Sequence, residues 1–420
     1  MRWWFRQPLY IQIFICILIG ILLGLVLGDK ASWIKPLGDI FIRLLMMLIV
    51  PLTFFTLISG MTKLEDLRSF RSLGGMIILY YLASSLVAGI LGIFVALVMQ
   101  PGKKAAGLLA AGGKIEPASF NFIDNLVSWV PKNPVESLAS GNMLQIIVFS
   151  IIAGIGLLAV KNKAKNLTKV IHDASDLMIT ITGFVMKTAP YGILALVANM
   201  VASMKTEVLH EVLRFILADY IALLILLILF YPLILIWLTK LNPIRFYRNI
   251  SPAMLVAAST TSSSATLPVS MSTASDNLGA PEKIWGFTLP LGATINMNGM
   301  AAAIGVIAVF AANIYGLSIT PVLMLQFMFL GLVLSVGTAG IKGAGIVMST
   351  ILLKTLNLPL ELIPILASVW PILDIGHTTC NVTGDLVGTT IVGEKLKAID
   401  KKIFNRKNAI IRKKQKFENE

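Results

Sequence analysis

Five polar residues interrupt an apolar stretch near the end of this 420-residue chain: Asp374, His377, Thr378, Asn381 and Asp385. At about 100° per residue, Asp374, Thr378, Asn381 and Asp385 fall within about 60° of one another on a helix. Apolar sequence flanks them over residues 358–373 and 386–392. An Asp at membrane depth costs roughly 2.5 kcal/mol or more on insertion scales, so two on one face predict a pathway or a bound cation.

Further clusters carry matching chemistry. The run Ser259-Thr260-Thr261-Ser262-Ser263-Ser264, followed by Pro268, offers hydroxyls and amides to a carboxylate, helped by a helix N-terminus. Asn296-Met297-Asn298-Gly299 lies mid-span and predicts a local unwinding. Its free carbonyls and an Asn oxygen can replace water around sodium, with Asp385 supplying charge. The glycines of 337–345 permit positive φ and close approach, which suits a tip closing over a ligand. Lys342 within it is read as facing water. Tyr80, Tyr81, Ser84 and Ser85 lie about ten residues inside a span, which leaves two readings open: an interfacial mark, the usual role of tyrosines near a helix end, or a polar role inside the bundle. His377 stays open between a structural hydrogen bond and a proton-responsive group one turn from Asp374. His172 and His210 are far away in sequence, so no zinc-type site is expected.

These groups need elements to hold them. Residues 9–28, 33–60 and 72–100 read as three spans. Residues 101–141 are mixed, with Gly112-Gly113, Pro117, Pro131 and Pro134 as breakers. The run 144–160 ends a broken fourth span. Residues 167–203 form a fifth, with a kink expected before Pro190, and 212–241 a sixth. Two arms too short to span, 252–258 and 265–273, predict a re-entrant hairpin. A span over 284–315 is broken at the asparagines, 321–356 forms a second hairpin, and 358–392 is the striped helix. The expected fold is an all-α polytopic membrane protein with eight transmembrane helices and two re-entrant helical hairpins. Matching breaks in two halves point to a transporter site.

Composition agrees. The chain is 56% hydrophobic and 13% charged, against about 25% charged in soluble domains, and its mean hydropathy is +0.84. The net charge of +14 sits in connections: Arg2 and Arg6; Lys63, Arg68 and Arg71; Lys161, Lys163, Lys165 and Lys169; Lys240, Arg245 and Arg248; and a tail from Lys395 to Lys416. The positive-inside rule then predicts both termini in the cytoplasm of a cell inner-membrane protein. The tail suits anionic headgroups of the lipid bilayer, not nucleic acid. Cys16 and Cys380 lie in apolar helix, where packing is their expected role. The first span is too long for a secretory signal and is expected to be retained. A hydrolase needs a nucleophile within reach of a base, which the Ser/Thr runs do not supply, so no enzyme is expected.

Four motifs in order, Ser262-Ser263-Ser264-Ala265-Thr266-Leu267-Pro268-Val269, Leu291-Gly292-Ala293-Thr294-Ile295-Asn296-Met297-Asn298-Gly299, Gly337-Thr338-Ala339-Gly340, and Asp374-Ile375-Gly376-His377-Thr378 through Asn381-Val382-Thr383-Gly384-Asp385, resemble the signatures of the dicarboxylate/amino acid:cation symporter family. This is the family of glutamate and aspartate transporters. The resemblance spans nearly the whole chain. It implies a homotrimer in which a scaffold (1–71, 119–203) supports an elevator-like transport domain. That domain would comprise helix 3 and a loop (72–118), helix 6 (204–250), hairpin 1 (251–276), helix 7 (277–316), hairpin 2 (317–357) and helix 8 (358–395), before the tail 396–420. The hairpins would act as gates. The resemblance also implies that Ser263, Ser264, Val336 and Gly340 hold a substrate α-carboxylate, while Asp374 takes the ammonium beside Thr378 and Asn381. One sodium would use Asp385 with carbonyls of Gly292, Asn296 and Asn381. A second would use carbonyls near Thr294, Met297, Ser335, Val336 and Thr338. A third, deeper site would use Tyr81, Ser84, Ser85, Asn296 and Asn298.

The departures from the pattern carry information. His377 stands where acidic-substrate relatives usually have Arg, and His cannot make the bidentate carboxylate pair. Met300 stands where they usually have Thr and offers no hydroxyl. Thr261 stands where prokaryotic relatives often have Arg. No arginine remains at the expected pocket, which favours a neutral amino acid over aspartate or glutamate, although a protonated His377 would still attract an acid. Asn298 replaces an Asp, so the deep cation site is expected to be weaker or absent. The sequence thus predicts a sodium-coupled symporter of a small amino acid. The alternative is a proton-coupled amino acid or dicarboxylate symporter, with His377 as proton carrier.

Overall fold

The computed structural model describes residues 4, 7, 9–62, 71–106, 127–203, 206–338, 340 and 342–406. Arg2, Arg6, Lys63, Arg68, Gly112, Gly113, Pro117, Ala339 and the tail from Lys407 to Lys416 lie outside the described residues.

In lipid every backbone polar group must be satisfied within the segment, which selects helices from runs of Leu, Ile, Ala and Met. The first half holds α1 (Leu9–Leu27), α2 (Lys35–Thr62), α3 (Arg71–Met99), the short α4 (Pro134–Ser140), α5 (Met143–Val160) and α6 (Lys165–Ser203). Next, α7 (Thr206–Ile225) passes through a π-helical turn, Leu226–Phe230, into α8 (Tyr231–Thr239). Pro232 explains the turn. It has no N–H to give, and the Leu227 carbonyl accepts the Tyr247 hydroxyl instead.

The first hairpin differs from expectation. Its arms are α9 (Pro243–Thr260) and α10 (Ser263–Asp276), not 252–258 and 265–273, so residues 243–250, grouped above with helix 6 in the segment 204–250, form the start of its first arm. Asn242 caps α9, its side chain accepting from the Arg245 N–H at 3.1 Å. The helix then runs through Pro252. Arg245 and Arg248 hid this arm from a search for apolar runs. Then come α11 (Glu282–Ile295), a break at Asn296-Met297, α12 (Asn298–Ile314), and the second hairpin, α13 (Pro321–Val336) and α14 (Ala344–Thr355). The striped helix is α15 (Ile363–Lys395), starting after a 3-10 turn at Leu360–Leu362 rather than at residue 358, and α16 (Lys401–Phe404) follows.

Six helical stretches among the described residues are long and apolar enough to cross a membrane, and Ile11–Leu27 and Gln145–Val160 are shorter apolar helices. Two groups of helices result. α1, α2, α5 and α6 pack chiefly on one another. α3 and α7–α15 gather around α12 and α15. α12 is buried at every residue from Asn298 to Ala312. Small residues let α3 and α12 approach closely: a Cβ added at Gly92 would strike the Ala302 carbonyl. That approach sets Ser84 and Ser85 against the start of α12.

Candidate functional site

The two hairpin tips meet. Thr261 adopts a left-handed conformation, φ +49°, which ends α9. Ser262 then caps α10, accepting from the Ala265 N–H at 3.2 Å. Across the gap, the Gly340 carbonyl accepts from the Ser262 hydroxyl at 2.8 Å and from the Ser264 N–H at 3.0 Å. The hydroxyls of Ser335 and Thr338 turn back onto the carbonyls of Leu332 and Leu334.

Asp374 lies beside these tips, 9% exposed. Its Oδ2 accepts only a long bond, 3.4 Å, from the Gly343 N–H. The ion pairs within 4 Å among the described residues are Arg214–Glu211, His377–Asp219 and Lys401–Glu394, so neither Asp374 nor Asp385 has a lysine or arginine within that distance. Asp374, Thr261, Lys342 and Trp370 line a cavity of about 30 Å³, room for a water or two rather than an amino acid. Lys342, expected to face water, is half-buried on this cavity because the left-handed turn at Gly343, φ +75°, folds the tip down onto α15.

His377 points elsewhere. Its Nε2 lies 2.8 Å from Oδ2 of Asp219 on α7, with both side chains at most 1% exposed. The Trp370 ring packs on the imidazole at 5.3 Å between centroids. Met300 is buried near Trp370, since a Cβ at Gly345 would fall on the indole and 2.5 Å from the Met300 methyl. Thr378 is buried, and Asn381 bridges the helix break: its Oδ1 accepts from the Gly299 N–H at 2.7 Å and its Nδ2 donates to the Met297 sulfur at 3.3 Å.

Deeper along α15, Asp385 is 3% exposed, and its Oδ1 accepts from Asn296 Nδ2 at 2.8 Å. Gly292 makes room for that carboxylate, because a Cβ there would collide with it and crowd the Tyr81 hydroxyl. Tyr81 donates to the Thr288 carbonyl at 2.8 Å, and Thr294 to that of Leu291 at 2.8 Å. Asn298 is closed into a network of side chains. Its Oδ1 accepts from Ser85 at 2.8 Å and Ser84 at 3.3 Å, while its Nδ2 donates to the Tyr231 hydroxyl at 3.0 Å. Tyr231 in turn donates to the Cys380 carbonyl at 3.0 Å.

The structure therefore sets Asp374 beside both tips, Asn381 on the helix break with Thr378 buried one turn away, gathers Asp385 with Gly292 and Asn296, and gives His377 to Asp219. Sequence reasoning missed Asp219, Tyr231 and Trp370. Asp219 had a signal: it is the one carboxylate within the apolar run 215–230, and an ionisable residue at membrane depth is a site candidate by default. Tyr231 and Trp370 had none, since either reads as ordinary core.

One interrupted helix and two hairpins around buried carboxylates that no lysine or arginine pairs among the described residues fit a secondary transporter. The comparisons make the class specific: this chain belongs to the Sodium:dicarboxylate symporter family, which it matches over residues 9–395. It is 29% identical over 375 residues to the proton/sodium-glutamate symport protein of Geobacillus stearothermophilus, covering 87% of this chain and 88% of that one. It is 30% identical over 395 residues to the proton/glutamate-aspartate symporter of Escherichia coli K12, covering 89% of each. It is 27% identical over 395 residues to an L-cystine uptake protein of Bacillus cereus, covering 90% of this chain and 85% of the relative. The chain is a multi-pass membrane symporter rather than an enzyme, and cation-coupled transport is the activity of its kin.

Proposed function

We propose that this chain couples sodium entry to uptake of a small neutral amino acid. The carrying observation is Asp374, a buried carboxylate with no cationic side chain within 4 Å among the described residues, next to two hairpin tips that touch. A lone charge at depth calls for a mobile counter-charge, and the ammonium of an amino acid supplies one. Asp385, with Asn296 and the break before α12, supports a sodium site. The commitment of His377 to Asp219 supports a neutral ligand over an acidic one, although two of the relatives named above carry glutamate. The internal hydrogen bonds of Asn298 support loss of the deepest cation. In this reading the group of α3 and α7–α15 slides as an elevator against α1, α2, α5 and α6. The carrier works as a homotrimer in a cell inner membrane, with both termini in the cytoplasm.

The test is uptake into proteoliposomes from a panel of neutral and acidic amino acids and cystine, with sodium and pH gradients imposed separately. Sodium-driven uptake of a neutral amino acid is expected. Uptake of glutamate or aspartate in preference to every neutral ligand overturns the substrate assignment. A second reading, proton coupling, is favoured by the buried Asp219–His377 contact, in which Asp219 Oδ1 and His377 Nδ1 have no hydrogen-bond partner among the described residues. Uptake driven by pH alone selects it.

A further inference from the structure

Asp219 is fully buried on α7, and among the described residues its side chain makes one hydrogen bond, a 2.8 Å contact between Oδ2 and His377 Nε2. Its Oδ1 has no partner there. A buried ion pair is weak evidence for stability, because desolvation offsets the attraction. A pair satisfied on one oxygen alone is weaker still, so the contact is better explained by what it does to His377. That residue follows Asp374 by three positions, which sets it about 60° round α15 and about 4.5 Å further along. Trp370 touches both places: it lines the cavity beside Asp374, and its ring packs on the imidazole at 5.3 Å between centroids. His377 Nδ1 is without a hydrogen-bond partner among the described residues, so the Asp219 contact is the one hydrogen bond that fixes the ring. Released from it, the imidazole is free to turn about its side-chain torsions toward the cavity.

What Asp219 presents to His377 is a carboxylate, the same group that an acidic amino acid carries on its side chain. An internal partner is held at high effective concentration. An acidic ligand therefore meets an imidazole already taken, and it brings a further negative charge close to Asp374 and Asp219, where like charges oppose one another. A neutral ligand brings none. We propose that Asp219 is a specificity-determining residue: from within the protein it fills the place on His377 that a ligand's side-chain carboxylate would take, and so keeps the carrier selective for neutral side chains. Asp219 acts through His377 and is a positioning residue. The inference rests on the amino acid reading above and names the residue that sets its neutral preference.

The test compares L-asparagine with L-aspartate, alike in shape and different in charge, as competitors of sodium-driven uptake of L-alanine, L-serine or L-leucine in proteoliposomes, about one pH unit below and one above the ordinary imidazole range. The ratio of the two half-inhibitory concentrations cancels groups that act on both ligands alike. Those facing the pair are Tyr220 from α7, Asp374 and Cys380 from α15 and Lys342 from the second hairpin, while α12 meets His377 with Gly299. The wild type should prefer L-asparagine by about tenfold or more, equally at both pH values, because His377 is closed to solvent and held. In Asp219→Leu, L-aspartate should gain about tenfold against L-asparagine at the lower pH, where a freed imidazole is protonated, and less at the higher. Asp219→Asn, close to the parent in volume, should move the ratio in the same direction. Adding His377→Gln to either variant should abolish the gain. A pair that only holds two helices together predicts a lower unfolding temperature with the ratio unchanged, and that outcome in a folded Asp219 variant overturns the proposal. So does a wild type whose ratio moves tenfold toward L-aspartate on acidification, a result that needs no variant to fold. A wild type that prefers L-aspartate at both pH values overturns the neutral-substrate reading beneath it, and one that carries none of these amino acids under any gradient overturns the amino acid reading itself.

Discussion

Asp219 and His377, on helices α7 and α15, meet at 2.8 Å in a space closed to solvent. The contact takes the imidazole out of the cavity that Asp374 lines and gives it a permanent partner. Removing one member of a buried pair leaves the other uncompensated, at a cost of about 3–5 kcal/mol. Asp219→Ala alone should therefore lower the thermal unfolding temperature of the purified carrier markedly. The double variant Asp219→Ala, His377→Leu should recover most of the loss. Additive losses in a double-mutant cycle would show that the two side chains are not coupled.

Asp374→Ala should abolish amino acid uptake while the protein still reaches the membrane and assembles. The carboxylate is the counter-charge for the ligand's ammonium in the proposed site. Uptake with normal apparent affinity would remove Asp374 from that role.

Asp385→Asn keeps an oxygen against Asn296 but deletes the negative charge. The concentration of sodium needed for half-maximal uptake should rise about tenfold, as expected when a charge-assisted contact becomes a neutral one. An unchanged sodium titration at constant ionic strength would place the cation elsewhere.

Asn298→Asp runs the opposite experiment. The new carboxylate would face Ser84 and Ser85 and would lose the amide that donates to Tyr231. A buried charge without a partner is unstable, so the variant should come to need sodium: its unfolding temperature should climb with sodium, measured against choline, more steeply than that of the parent. Equal slopes would mean that this pocket holds no cation in either form.

Much of this architecture was legible because membrane helices announce themselves. The stripe on α15, the break at Asn296-Met297 and the glycine-rich tip are local departures from apolar sequence, and each lies where the pattern placed it. The misreadings share a cause. The first arm of hairpin 1 was cut short because Arg245, Arg248 and Pro252 look like the end of a span, although a capped amphipathic helix carries all three. His377 could be placed on its helix but not given a partner, since Asp219 is 158 residues away in sequence. Lys342 was assigned to water on charge alone. The packed tip leaves it half-buried on the cavity that Asp374 also lines. One-dimensional patterns report which face of a helix is polar, whereas pairings between distant helices need the packed chain.

The Gly340 carbonyl accepts from two donors of the opposite hairpin. Any incoming guest that wants those donors must first win them from this oxygen, so measured affinity is a contest between a latch and a visitor, and the latch sets a handicap. Variants that loosen the clasp should grip their cargo more tightly yet hold the door less firmly against leakage. Tight binding and faithful coupling thus pull on one shared oxygen in opposite directions.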